Sequence, residues 1–224
     1  MTLSSLVFIG VLCVAWVVIK VLPRLFVREV ARVALKEVGK KALEKVPDQI
    51  QLSRVNSPQW KDETAVQQQA APLVRAGFND LGTYSVDKLP GVLIRVLFQP
   101  QTYVAAHITE HPKAGGWIEI ATRYADGGSD FLTTLPDQGI TSPPFVRTVR
   151  VATGTPSDSA YQQHLRQRKQ GGIKPVLPSE VIHEFEDAYM RYMIWKHETG
   201  LTVEEVAQRA VKWSKAKQQA AGKP

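Results

Sequence analysis

The sequence predicts an α+β fold: an N-terminal transmembrane helix, then an antiparallel β-meander sheet packed with one preceding and three following helices. Three observations carry this expectation. Leu3 to Ile19 contains no charged side chain, and Val21-Leu22 extends the apolar run after a single interruption at Lys20. Between residues 80 and 151, six β-rich segments alternate with turn signals. Beyond residue 156 the apolar spacing becomes helical, so strands and helices are segregated along the chain. The boundaries read as a transmembrane anchor over 1–22, a basic amphipathic helix over 23–46, a linker over 47–56 and an α+β domain over 57–220.

The first element is read as an uncleaved span. Met1-Thr2-Leu3-Ser4-Ser5 has no basic residue of the kind that opens a secretory signal, and Val17-Val18-Ile19-Lys20 is a poor cleavage site. At about 1.5 Å per residue, Leu3 to Leu22 reaches roughly 30 Å, one hydrocarbon thickness. Basic residues follow at intervals of four: Lys20, Arg24, Arg28, Arg32, Lys36 and Lys40. Positive charge stays on the cytoplasmic side, so the N-terminus is expected outside and the domain in the cytoplasm, at the cell (inner) membrane.

After Pro23 the basic residues step round one helical arc, while Phe26, Val27, Val30, Val33, Ala34 and Val38 occupy the other. Such a helix lies at the headgroup layer with its cations toward anionic lipid, or packs its apolar arc on protein. The chain carries +7, with a pI near 9.5. Residues 20–45 hold +5 of that charge and residues 46–224 only +2. The basicity is therefore mostly juxtamembrane, and no nucleic-acid partner is expected. The single cysteine, Cys13, lies in the span and excludes a disulfide framework or a cysteine nucleophile in the domain.

Within the domain, Ser57-Pro58 reads as the start of a helix over 58–70, closed by Pro72 and Gly77. Strands are expected over 80–86, 92–98, 103–109, 117–124, 130–134 and 146–151. Their short connections predict hairpins. The longer loop Leu135 to Pro144, rich in Pro, Asp and Ser, is the one stretch with the character of an exposed functional loop. Ser157 is expected to cap the first following helix and Ser179 the second, whose stripe is Val181, Ile182, Phe185, Tyr189, Tyr192 and Met193. Thr202 and Glu205 form a capping box for the third. Tyr189, Tyr192, Trp195, Met190 and Met193 read as core in preference to a pocket lining, and Trp213 falls outside the stripe of the last helix.

Polar residues gather around two strands: His107, Glu110, His111, Glu119 and Arg123, with Asp126 beyond. Period-two alternation puts Trp117, Glu119, Ala121 and Arg123 on one face and Ile118, Ile120 and Thr122 on the other. His107 and His111 share a face but stand about 13 Å apart in an extended strand, so a shared metal requires a sharp turn at Pro112. An antiparallel sheet with one wet side accounts for the same pattern, and is preferred to a catalytic or metal site. Glu180 and His183 have the E-x-x-H spacing of di-iron bundles, but no second pair accompanies them. The sequence has no phosphate-binding glycine loop, dinucleotide fingerprint, H-E-x-x-H or G-x-S-x-G, and no cofactor is expected.

These features predict a single-pass membrane protein whose cytoplasmic domain acts as a binding or adaptor module, with the membrane, anionic headgroups and a protein as partners. Two alternatives stand beside it. One is a tethered hydrolytic or metal-dependent enzyme using the His/Glu/Arg cluster. The other is an accessory subunit of a membrane complex.

Overall fold

The computed structural model describes residues 22–208. The apolar run before Leu22, Lys20 and Trp213 lie outside them; among the described residues, no helix is long and apolar enough to cross a membrane. The fold is α+β, a seven-stranded, mostly antiparallel sheet with five helices, and the chain divides into two compact units.

In the first unit, residues 1–46 and 200–224, α1 spans Leu22–Leu43 and α5 begins at residue 203. The expected capping box starts α5: Thr202 Oγ1 accepts the Glu205 N–H at 3.1 Å, and the Glu205 carboxylate accepts the Thr202 N–H at 2.7 Å. Leu43, with Leu35 and Ala42 beside it, packs on Leu201 and Val206 of the same unit. Gly39 is buried, and a Cβ there would stand 3.0 Å from the Val206 side chain. The contact surface is therefore not the arc predicted from the sequence. Val33 and Val38 of that arc are 67% and 56% exposed, as are Lys36 and Lys40 on the basic side.

The second unit, residues 47–199, holds the whole sheet. Its strands are β1 (Leu52–Val55), β2 (Asn79–Val86), β3 (Leu93–Gln99), β4 (Val104–His111), β5 (Gly115–Arg123), β6 (Ser129–Thr133) and β7 (Val146–Arg150), arranged in chain order. Two features depart from expectation. β1 lies inside the supposed linker and pairs with β2, from Leu52 opposite Val86 to Val55 opposite Thr83. It has no alternating burial to announce it. β7 runs parallel to β6, so the loop over residues 134–145 is a crossover rather than a hairpin.

Helices cover both faces of the sheet. On one, α2 (Glu63–Arg75) and α3 (Ser157–Gln167) supply Val66, Ala70, Leu73, Ala160 and Tyr161 against Leu97, Val104, Ile108, Ile118, Ile120 and Leu132. On the other, α4 (Val181–Thr199) places Val181, Ile182, Phe185 and Tyr189 over Val92, Ile94, Val96 and Phe98. The side read from sequence as wet is thus roofed by α4.

Helix ends correct several local expectations. α2 starts at Asp62, whose carboxylate accepts the Ala65 N–H at 2.9 Å, and Pro72 lies within its last turns. It ends in a Schellman arrangement: Phe78 N–H donates to Leu73 O at 3.1 Å and Gly77 N–H to Val74 O at 3.0 Å. Gly77 has φ +87°, and an added Cβ would lie 2.8 Å from Gln99 Nε2. Gly77→Ala should therefore lower unfolding stability by about 1–2 kcal/mol, the cost of a left-handed residue with a Cβ, measured by urea titration. Ser157 does not cap α3. Its hydroxyl donates instead to Gln69 O at 2.6 Å, tying α3 to α2. Nor does Ser179 appear as the cap of α4, where the Glu180 carboxylate accepts the Leu177 N–H at 2.9 Å.

Candidate functional site

Antiparallel register brings three of the five clustered residues together. His107 on β4 stands opposite Glu119 on β5, Glu119 opposite Thr133 on β6, and Arg123 opposite Ser129. Alternation then turns His107, Glu119 and Arg123 to the α4 side. The other two go elsewhere. The Glu110 carboxylate accepts the N–H groups of Lys61 and Asp62 at 2.8 and 3.0 Å, fixing the entry to α2. His111 Nδ1 accepts from Lys113 and Ala114 N–H, both at 3.1 Å, which shapes the β4–β5 turn. The chain does turn at Pro112, but both histidines precede the turn on β4, His107 packs on Phe185 and His111 engages the turn, so the two do not converge. On α4, His183 meets Asp187 one turn on at 3.4 Å and is well exposed, while Glu180 serves the helix start. No group of three metal-ligating side chains exists among the described residues.

Between α4 and strands β5–β7 lies a cavity of about 240 Å³. Glu119, Arg123 and Phe131 line its sheet side; Phe185, Tyr189, Arg191 and Tyr192 line its helix side. Ser142 and Phe145 come from the crossover loop and its junction with β7. A neighbouring cavity of about 230 Å³ shares Arg123, Gly127 and Arg191 and adds Lys174 and Glu184. His107 faces neither. It is 1% exposed, its ring lies 4.7 Å from that of Phe185, and beside it is a void of about 20 Å³, room for one water.

Electrostatics follows from depth. Burial, helped by the positive charge of Arg123, pulls the His107 pKa from 6.5 down to about 3, so the ring is neutral near pH 7. Neither of its nitrogens has a hydrogen-bond partner among the described residues. Burial raises the Glu119 pKa against the opposing pull of the Trp117 indole and Arg123. The Trp117 N–H forms no hydrogen bond of normal geometry, so its pull is a dipole acting at a longer reach. Arg123 is lowered to about 10, first by burial and then by repulsion from Arg191, with Glu184 and Glu119 opposing. Its guanidinium donates to Ser129 Oγ at 2.7 Å and lies 4.9 Å from the Phe131 ring centre. Glu184 is itself engaged by the Lys174 ammonium.

A second polar cluster occupies the opposite face. The Asp130 carboxylate accepts from Arg147 at 3.0 and 2.5 Å, Tyr124 O–H at 2.7 Å and Lys169 N–H at 2.9 Å. Burial works against its charge, but these donors hold its pKa below the ordinary value. Beside it, buried His164 Nε2 shares a 2.8 Å hydrogen bond with Thr122 Oγ1. Tyr124 O–H also donates to Lys169 O and the Arg147 guanidinium to Gln167 O, so this network pins the end of α3 to β6 and β7 and is structural.

Sequence reasoning missed Phe145, Ser142 and Arg191, although the crossover loop was singled out. Of the helix aromatics read as core, Tyr189 both packs on the core and lines the cavity, and Tyr192 lines the cavity. No family model matches the chain, and no curated protein or solved structure does. Fold and cavity together define an α+β domain with a mainly apolar pocket, five aromatic side chains among its walls, and charged groups on its sheet side.

Proposed function

We propose that this is a membrane-tethered binding module. In this reading residues 1–22 span the bilayer, the basic residues of α1 meet anionic headgroups, and the 47–199 unit presents its pocket in the cytoplasm. The observation that carries it is the cavity between α4 and β5–β7: concave, aromatic-lined, with a few convergent polar groups, the usual build of a ligand site. Its serine hydroxyls have no histidine base beside them among the described residues, because His107 is sealed beneath Phe185. The exposed Val33 and Val38 on α1 leave an apolar strip for the interface even though the helix packs on protein elsewhere.

Two measurements test the proposal. A photo-crosslinker at Ser142, at the pocket, should capture a ligand or partner in native membranes, and one at exposed Arg75 should not. Identical adducts from both positions would count against a pocket-directed module. Protease added outside intact cells should spare the domain; its removal would reverse the proposed orientation. One observation favours a second reading, a tethered enzyme: burial favours the protonated form of Glu119 inside the cavity, a property suited to a general acid. Glu119→Gln separates the two readings, since an enzyme would lose turnover while retaining ligand.

A further inference from the structure

We propose that the pocket binds a small organic acid, with its carboxylate held between Arg123 and Arg191 and its apolar body among Phe131, Phe145 and Tyr192. The inference rests on the binding-module reading and names the ligand class of the same site.

Charge is the first argument. Two guanidiniums face one cavity and repel each other. Arg123 has a hydroxyl and an aromatic face as neighbours, and no carboxylate among the described residues forms an ion pair with it. The nearby acids do not fill that role, because Glu184 is held by Lys174 and burial favours neutral Glu119. A half-buried cation in this condition is costly, and an anion placed between the two forks offsets the cost.

Size and lining supply the second argument. The cavity, about 240 Å³, exceeds the ~150 Å³ void that holds benzene and falls below the ~300 Å³ at which drug-sized sites begin. Five of its fourteen lining residues are aromatic and its exposed walls are mainly apolar, so most of the ligand must be apolar. A planar carboxylate matches the guanidinium fork with two parallel hydrogen bonds. A free phosphate would fill the charged floor and leave the aromatic walls unused.

The test is calorimetric titration of the full chain in lipid nanodiscs with three probes: benzoate, benzyl alcohol and inorganic phosphate. Benzoate should saturate and bind at least about tenfold more tightly than the uncharged alcohol, the factor expected of a charge-assisted contact. Arg191→Gln should weaken benzoate by about tenfold and leave benzyl alcohol unchanged; this variant is chosen beside Arg123→Gln because Arg123 also bonds the Ser129 hydroxyl and its loss disturbs that contact. Equal binding of benzoate and benzyl alcohol overturns the acid and leaves a binding pocket. Phosphate binding as tightly as benzoate overturns the apolar body. If none of the three binds, the pocket-binding reading itself falls with the inference.

Discussion

Lowering the pH from 7 to 5 should destabilise the 47–199 unit by about 4 kcal/mol through two buried histidines alone. In the folded protein the His107 pKa is lowered to about 3 and the His164 pKa to about 4, each chiefly by burial. In the unfolded chain both titrate near 6.5. The unfolded state therefore binds more protons below pH 6.5, and stability falls as pH drops from there toward the folded values. Each residue contributes about 2 kcal/mol of loss by pH 5, a large part of the roughly 5–15 kcal/mol that holds an ordinary domain together. Glu119 works in the opposite sense, since its raised pKa makes the folded state take up its proton first as pH falls. Urea unfolding at pH 7 and pH 5 measures the sum. His107→Leu should remove about half the pH dependence, and an unchanged slope would show that the ring is not held neutral.

The second large effect separates neighbours on one strand. Ile120 is fully buried on the α2–α3 face, and Glu119 beside it points to the cavity under α4. Ile120→Ala should cost about 2–5 kcal/mol, the transfer term plus the cavity it leaves. Glu119→Gln should raise stability at pH 7 by about 0.5–2 kcal/mol, because desolvation of the carboxyl outweighs the opposing pull of Arg123 and the isostere is neutral. Equilibrium unfolding of the two variants reads both signs. A loss at Glu119 comparable to that at Ile120 would mean that the carboxylate is a structural anchor.

Those opposite signs mark how far the sequence could be read. Alternation over Trp117 to Arg123 placed Glu119 and Arg123 on one side and Ile118, Ile120 and Thr122 on the other, as the register confirms. What alternation cannot say is which helix lands on which side. The polar side was read as wet because nothing local shows that Phe185 and Tyr189, 60 or more residues away, will cover it. The same limit explains the site residues. Glu119 and Arg123 are visible as a polar pair within one strand, whereas Arg191 and Phe145 join them only through tertiary packing. β1 was illegible for a different reason: its four residues, Leu52-Ser53-Arg54-Val55, form an edge strand defined by its pairing with β2 rather than by an apolar period. Turn and cap chemistry was legible where glycine or a capping box fixed it, at Gly77 and Thr202. It misled where serine had other partners, as at Ser157.

The parallel pairing of β7 with β6 has a consequence for the order of assembly. β2 to β6 are linked by tight turns, so their contacts are local and close with little loop entropy. β7 can join only after the chain over residues 134–145 has crossed over, and it has β6 as its one neighbour. The wall carrying Phe145, Val146 and Thr148 therefore docks only after the meander beside it, and Arg147 then ties β7 to Asp130 of β6. The outer wall of the pocket is thus built from chain that joins the sheet after the strands carrying Glu119 and Arg123 have paired.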